Sequence, residues 1–150
     1  MAEVHNFPRR AQHEAIRLAS TFANFAQDQA LYQERACGTP LTAYSLAVQD
    51  YLGKPRVISI DISNWSGEIG QAIRIRARDN IMVLSVRVLI RRNEASHIAL
   101  EEGEARQSGD DRLLWTYTTT TRVPYRFGTR VDVSAYDLPG NRARKFLQLK

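Results

Sequence analysis

The first third of the chain repeats apolar positions with the period of an α-helix. From Arg9 to about Ala36 there is no glycine or proline, and good helix formers dominate. Because small residues make up most of the apolar stripe, the pattern predicts a helix face on which another backbone can pack closely. The stripe consists of Ile16, Ala19, Phe22, Ala23, Ala26 and Ala30.

The segment C-G-T-P at 37–40 predicts the end of this helix and the start of another. Gly38 can close the first helix, Thr39 can cap the second, and Pro40 suits a first helical position. We expect the second helix to run to about Leu52, and so short a connection predicts an α-helical hairpin. Its expected apolar face is Leu41, Tyr44, Ser45, Val48 and either Tyr51 or Leu52.

After Pro55 the apolar period shortens to two residues, which is typical of half-buried β-strands. The first run, for example, alternates Ile58, Ile60 and Ile62 with Ser59 and Asp61. Turn-forming segments such as N-W-S-G-E-I-G and D-L-P-G-N separate the runs, so we predict two packed antiparallel sheets. The seven predicted strands lie at about 58–62, 73–78, 86–91, 98–106, 113–121, 129–136 and 142–149.

Three segments of this region resemble one protein family. They are A-R-D-N-I-M-V-L-S-V-R-V at 77–88, L-W-T-Y-T-T-T-T at 114–121 and V-D-V-S-A-Y-D-L-P-G-N-R-A at 131–143. In this order they resemble the bacterial immunoglobulin-like domains of adhesins and surface-layer proteins, which are similar in layout to fibronectin type III modules. The resemblance covers residues from about 55 to 149, and it implies a fold without implying catalysis.

The expected protein is therefore mainly β. Residues 55–150 are predicted to form an immunoglobulin-like antiparallel β-sandwich of about seven strands. An N-terminal α-helical hairpin at 1–54, which resembles no family that we recognise, precedes it. No apolar tract is long enough to span a bilayer.

The net charge of the chain bears on the kind of partner that it would bind. The formal charge of +5 results from 21 basic and 16 acidic residues, and all but three of the basic residues are arginine. The planar guanidinium group suits carboxylates and phosphates, so the composition suggests an anionic partner. A solvated surface without any such partner explains the same composition.

The start of the chain and its single cysteine bear on location. The segment M-A-E-V-H-N-F-P-R-R has an early Glu3 and no apolar run, so we expect no secretory signal. Cys37 has no second cysteine to pair with inside the chain, which fits a reducing compartment. We expect a cytoplasmic protein, and export by another route stays open.

Carboxylate and amide side chains follow two of the predicted strands. Asp79 with Asn80, and Asp137 with Asn141, resemble the oxygen ligands that collect calcium between tandem surface repeats. A single domain supplies too few oxygens for that ion, so we predict neither calcium nor another metal or cofactor. Asp79, Asp137 and Asn141 are instead expected to fix turns by bonding backbone amides.

Arginines recur on the outward positions of several strands. Nucleic-acid binding by such rows would be expected to add exposed aromatics or a groove-entering helix, and the sequence reveals neither, so nucleic acid is not the expected partner. Asp132 on the same face is expected to form cross-strand pairs that cancel part of the charge. The candidate anion-binding residues are Arg74, Arg76, Arg78 and Arg87, and Arg130, Arg142 and Arg144 can align with Arg87.

Other candidate chemistry is sparse. Trp115 and Tyr117 alternate with threonines and are expected to fill the core, whereas Trp65 in a turn can stack on a carbohydrate, anchor an interface or fold back. The segment E-E-G-E at 101–104 predicts a solvated strand edge. No nucleophile motif or phosphate-binding glycine loop occurs, so we do not expect an enzyme. The histidines are too scattered for a metal set: His5, His13 and His97.

The helices decide the leading functional hypothesis. A two-helix element cannot bury its own apolar stripe, so it must pack on the sandwich, on another copy or on a partner. We therefore predict a non-enzymatic structural protein that forms a homo-oligomer, or docks into a larger assembly, through this stripe. The alternative is a soluble binding module that holds an anionic polymer or glycan on its arginine face.

Overall fold

The computed structural model describes residues 9–93, 95–96 and 98–150. The chain divides into a helical unit, Met1–Gly53, and a β unit, Lys54–Lys150. His5 and His97, which the sequence excluded as metal ligands, lie outside the described residues. None of the described helices is both long and apolar enough to cross a membrane.

The described part of the helical unit, residues 9–53, contains three helices where a two-helix hairpin was predicted. The expectation of one continuous helix from Arg9 to Ala36 is wrong, because Gln29 adopts an extended conformation with ψ of 141°. This break turns the chain so that the buried Tyr32 hydroxyl donates to Asp50 Oδ2 over 2.7 Å. The helices are α1 (Arg9–Ala26), α2 (Ala30–Ala36) and α3 (Ala43–Leu52).

The start and the buried face of α3 also differ from the prediction. Thr42, and not Thr39, caps the helix, since its Oγ1 accepts the backbone N–H of Ser45 over 3.1 Å. The predicted face beginning at Leu41 is wrong, because small residues on the neighbouring face allow α1 to come close. The buried residues of α3 are Ala43, Leu46, Ala47 and Asp50.

Among its described residues, the β unit contains all seven predicted strands and one more. They form two antiparallel four-stranded sheets: a first sheet in the order β1-β2-β6-β5 and a second sheet in the order β4-β3-β7-β8. The chain passes from the second sheet to the first between β4 and the two-residue β5. The strands are β1 (Arg56–Asp61), β2 (Ala72–Arg78), β3 (Val83–Arg91), β4 (Ala99–Glu104), β5 (Arg106–Gln107), β6 (Leu114–Thr118), β7 (Arg130–Asp137) and β8 (Arg142–Gln148).

Inward side chains of both sheets form one hydrophobic cluster. Trp115 and Tyr117 are buried in it, as the alternation with threonine predicts. In β1 the prediction is only partly right, because a register shift between Val57 and Ser59 buries Val57 and leaves Ile58 exposed. The fully buried strand residues include Ile73, Ile75, Ala77, Val86, Val88, Ile90, Val131, Val133 and Ala135.

Candidate functional site

The outer face of the second sheet brings arginines from three neighbouring strands together. Alternation along β3 buries Val86 and Val88 and turns Arg87 outward. Arg87 lies opposite Ser134 of β7, and Ser134 lies opposite Arg144 of β8. Because adjacent strands are about 4.8 Å apart, the two arginine backbones lie about 10 Å from each other with only a small side chain between them.

These residues line a groove of about 520 Å³, which we call the arginine groove. Aromatic side chains of β7 and β8, Tyr136 and Phe146, contribute to its walls. Ser134 leaves space between the longer side chains, so a chain-like ligand has room to lie across β7. The charged lining is Arg87, Arg91, Arg130, Arg142, Arg144 and Lys145, with Glu102 and Asp132 as the acidic members.

Acidic side chains hold some of these arginines in place. Asp132 accepts from Arg91 Nε over 2.8 Å and from Arg130 Nε over 2.9 Å. Glu102 accepts from Arg87 over 2.9 Å. The partial cancellation of charge that was predicted from Asp132 is therefore present, and it involves arginines of β3 and β7.

On the β8 side of the groove, described acidic side chains do not neutralise the arginines. Arg142 and Arg144 are exposed, and within the described part of the chain neither forms an ion pair. Lys145 Nζ instead donates to the backbone oxygen of Ile58 over 3.0 Å. Two guanidinium groups are thus available to an anion from solvent.

The predicted anion-binding set does not form one face. Arg74, Arg76 and Arg78 lie on the outward side of β2 in the first sheet, whereas Arg87 belongs to the second sheet. A guanidinium nitrogen of Arg76 lies 3.4 Å from a carboxylate oxygen of Asp111, and Arg74 is paired with Asp61 of β1. Arg87 must therefore be grouped with the arginines of β7 and β8 instead of with those of β2.

The predicted interface along α1 needs a similar correction. Ala19, Ala23 and Ala26 are buried, and α1 packs against α3. Phe22 is half-buried, with its ring centroid 5.4 Å from that of Tyr51. The alanine stripe is therefore used inside the helical unit and cannot meet a second chain, although Ile16 and Ala30 at its two ends are exposed.

Asp79, Asp137 and Asn141 meet where β7 ends. Asp137 accepts the backbone N–H of Asn141 over 2.6 Å and its side-chain amide over 2.9 Å, and Asp79 accepts the N–H of Met82 over 3.4 Å. Burial raises the pKa of Asp137, the nearby Asp79 charge adds to this, and the bonds from Asn141 oppose it. The two carboxylates have oxygens within 4.8 Å of each other, yet their contacts are those of a turn.

Trp65 and Glu101 occupy positions that the sequence left open or misjudged. Trp65 is buried, its backbone oxygen accepts from Arg126 over 2.6 Å, and its ring cannot serve as an exposed platform. Glu101 is also buried, so the prediction of a solvated edge is wrong for this residue and holds only for Glu102 and Glu104.

Sequence reasoning missed one exposed pair of aromatic rings. Tyr125 and Phe127 lie between β6 and β7, are 75% and 65% exposed, and have ring centroids 6.1 Å apart. The segment R-V-P-Y-R-F at 122–127 was a usable signal, because aromatics that alternate with arginine beside a proline are typical of a binding loop.

Comparisons with protein-family models, with curated proteins and with solved structures find no match for this chain. The resemblance to bacterial immunoglobulin-like domains therefore stays a prediction. What the chain binds has to be inferred from its own residues and their geometry.

Proposed function

We propose that the chain is a non-enzymatic binding module that holds an anionic polymer in the arginine groove. The observation that carries the proposal is the pair of exposed guanidinium groups, Arg142 and Arg144, beside the anchored Arg87. An anionic group above Ser134 can accept hydrogen bonds from arginines on both sides, which are stronger than those between neutral groups.

The distribution of charge supports the same proposal. All but four of the 21 basic residues lie in the β unit, the four being Arg9, Arg10, Arg17 and Arg35. Concentrated positive charge raises the local concentration of a polyanion and speeds its association. A ligand that follows the groove therefore meets cations along its length.

We further propose that the β unit is an immunoglobulin-like β-sandwich. Its support is the strand order, since β1-β2-β6-β5 corresponds to the A-B-E-D sheet of that fold. The order β4-β3-β7-β8 corresponds to the C-F-G sheet with one added edge strand. Such a scaffold fixes the arginine stems on paired strands, which favours a preorganised binding face.

Binding of the full-length chain to heparin at low salt tests the function. Substituting Arg142→Gln together with Arg144→Gln should weaken binding about tenfold, because two charge-assisted contacts of exposed side chains are lost at up to about 1 kcal/mol each. The matched control is Arg74→Gln with Arg78→Gln, which removes the same charge from the first sheet and should retain most of the affinity. Equal losses in both variants would show that net charge, and not the groove, governs binding.

Assembly of several copies is a second candidate function, and it is favoured by the exposed side of α1. Phe25 is 82% exposed, and Leu18, seven residues earlier, lies on the same side of the helix. Exposed apolar side chains at this spacing are typical of a surface that meets another protein. This surface replaces the buried alanine stripe as the candidate contact.

Light scattering of the full-length chain after size exclusion tests the assembly. Phe25→Ser should lower the mass of the particle, and Leu41→Ser, which alters an exposed apolar residue outside the helices, should not. A monomeric wild-type chain over the whole accessible concentration range would remove this candidate.

A further inference from the structure

The segment between β6 and β7 presents two aromatic rings from a firmly held backbone. Val123 is buried, and its N–H donates to the Gly67 oxygen over 2.7 Å. Thr129 is buried at the other end of the segment. Tyr125 and Phe127 lie between these anchors with their rings exposed, so a ligand can cover them without displacing the anchored backbone on either side.

Arg126, which lies between the two rings in sequence, strengthens this arrangement. Its guanidinium group donates to the Trp65 backbone oxygen and lies 5.6 Å from the centre of the Trp65 ring. The side chain is therefore directed into the β unit while its neighbours, Tyr125 and Phe127, remain outside. The contact of the half-buried Arg126 with Trp65 therefore ties the backbone between the two exposed rings to the β unit.

Cationic side chains accompany the exposed rings. Arg92 and Arg122 line a recess of about 250 Å³ together with Tyr125, Phe127 and Leu100, which we call the aromatic recess. The one ion pair of Arg122 among the described residues is with Glu68 at 3.5 Å, and both side chains are largely exposed. Such a pair contributes little, so an incoming phosphate can replace it.

The aromatic recess adjoins the arginine groove. Arg91 lines the groove and the next residue, Arg92, lines the recess. Thr129 lines the recess and the next residue, Arg130, lines the groove. Arg91 and Arg130 are paired across β3 and β7, so both surfaces have lining residues at this end of the two strands. A polymer that follows the groove to this end reaches the rings.

We infer that the anionic polymer is a single-stranded nucleic acid, with bases stacking on Tyr125 and Phe127 and phosphates meeting the arginines; this inference rests on the proposed binding function. Nucleotides carry a flat, uncharged base beside a charged phosphate, and the aromatic recess places exposed rings beside guanidinium groups in the same way. A sulfated or carboxylated sugar carries its charge on the ring that would have to stack. The exposed aromatics that the sequence failed to reveal are therefore the feature that favours nucleic acid.

The test compares three probes on the full-length chain: oligo(dT), an abasic oligonucleotide of the same length and heparin. Wild type should bind oligo(dT) more tightly than the abasic strand, because only the former has bases to stack. Substituting Tyr125→Leu with Phe127→Leu keeps apolar bulk and removes the rings. It should weaken oligo(dT) binding about thirtyfold or more, because two bases lose the rings on which they stack, and leave abasic and heparin binding unchanged.

Two control variants separate stacking from general effects. Tyr125→Trp with Phe127→Trp keeps flat rings and should retain oligo(dT) affinity, whereas Leu113→Ala shortens an exposed apolar side chain outside the groove and the recess and should change nothing. Equal affinity of wild type for oligo(dT) and the abasic strand overturns the inference. If heparin then still binds and depends on Arg142 and Arg144, the proposed function stands with a polysaccharide as ligand. If neither polyanion binds, the proposed function fails as well.

Discussion

Glu101 illustrates how single residues of the β unit are fixed by contacts from the opposite sheet. Its Oε2 accepts from the Tyr117 hydroxyl over 2.5 Å and from the Thr120 N–H and hydroxyl over 2.8 and 3.0 Å. Its Oε1 lies 3.4 Å from the N–H of Thr121. A buried carboxylate is tolerated when donors surround it in this way. Glu101 therefore joins β4 to the end of β6.

Replacing this carboxylate by an amide should destabilise the β unit. In Glu101→Gln one oxygen becomes an NH₂ group, which cannot accept from the hydroxyls and N–H groups that face it. We expect the free energy of unfolding to fall by roughly 1–3 kcal/mol. Denaturant unfolding followed by tryptophan fluorescence measures it, since Trp65 and Trp115 both lie in the β unit. Glu102→Gln on the exposed side of β4 is the matched control and should cost much less.

Tyr117 predicts a loss of stability at alkaline pH. Burial, together with the hydrogen bond to Glu101, raises the pKa of Tyr117 to about 12 from its ordinary 10.0. Since the folded-state pKa lies above the unfolded one, the stabilisation is complete below pH 10 and is lost as the pH rises through 12. The unfolding free energy of wild type should fall across this window, and that of Tyr117→Phe should fall less. A fall of the same size in both proteins would contradict this assignment. The control is Tyr125→Phe at an exposed site, whose unfolding free energy should change with pH as that of wild type does.

At the scale of elements, the packing of the helical unit depends on the residues at which its helices end and begin. The break after α1 occurs at Q-D-Q, which contains no helix-breaking residue, because burial of Tyr32 against α3 outweighs local propensity. Thr39 and Thr42 are both able to cap a helix, and the chain uses the later one. Propensity alone cannot choose between such alternatives, whereas packing does.

The helix cap gives a prediction of its own. Thr42→Ala removes the oxygen that accepts the Ser45 N–H and should lower the stability of the helical unit by about 1 kcal/mol. Thr39→Ala, at the site favoured by the sequence, should have a smaller effect because its contacts are exposed. Thermal unfolding followed by circular dichroism of the helices compares the two. The larger loss in Thr39→Ala would mean that the helix begins earlier than described.

Close packing between the sheets means that one glycine of β4, Gly103, cannot be replaced by a larger residue without a loss of stability. A Cβ added at Gly103 would lie 2.8 Å from the Tyr117 ring, so Gly103→Ala must displace the tyrosine that bonds to Glu101. We expect a loss of about 1–3 kcal/mol, as is typical of overpacking in a core. Gly109→Ala is the control, since no atom lies within 4 Å of its added Cβ. Tryptophan-monitored unfolding in denaturant distinguishes them, and equal stability of the two variants would contradict the described contact.

At the scale of the whole molecule, charge and aromatic surface are unevenly distributed. Positive charge is concentrated in the β unit, and the arginine groove and the aromatic recess share one end of β3 and β7. Sequence position does not reveal this, because Arg87, Tyr125 and Arg144 are far apart in the chain. Strand pairing is what places Arg87 and Arg144 on one face, with Ser134 of β7 between them.

The salt dependence of binding tests whether the arginine groove contacts phosphates and the aromatic recess contacts bases of the same strand. For a single strand, each neutralised phosphate contributes about 0.7 to the slope of log affinity against log salt. The double substitution of Arg142 and Arg144 by glutamine should therefore reduce the slope by about 1.4 for two lost contacts. The double substitution of Tyr125 and Phe127 by leucine should weaken binding without changing the slope. A reduced slope in the leucine variant would mean that the rings act through phosphate contacts.

The sequence by itself determined the kinds of elements and most strand positions. Alternation in a strand depends on the two faces of its own backbone, so the strands predicted at 73–78 and 86–91 are present and carry the buried Ile73 and Val86. The small-residue stripe of α1 was also visible, because helical periodicity is local. The seven predicted strands and the buried pair Trp115 and Tyr117 follow from the same local rule.

Tertiary structure decided which surfaces remain free. The alanines of α1 were assigned to an interface, and packing on α3 buries them within the helical unit. Glu101 turned inward because donors on the other sheet stabilise its charge, and Arg87 joined the arginines of β8 because β7 lies between them. Tyr125 and Phe127 stayed outside because the inward positions of their loop are occupied by Val123 and Thr129. Each outcome depends on contacts between residues distant in sequence, which no local pattern encodes.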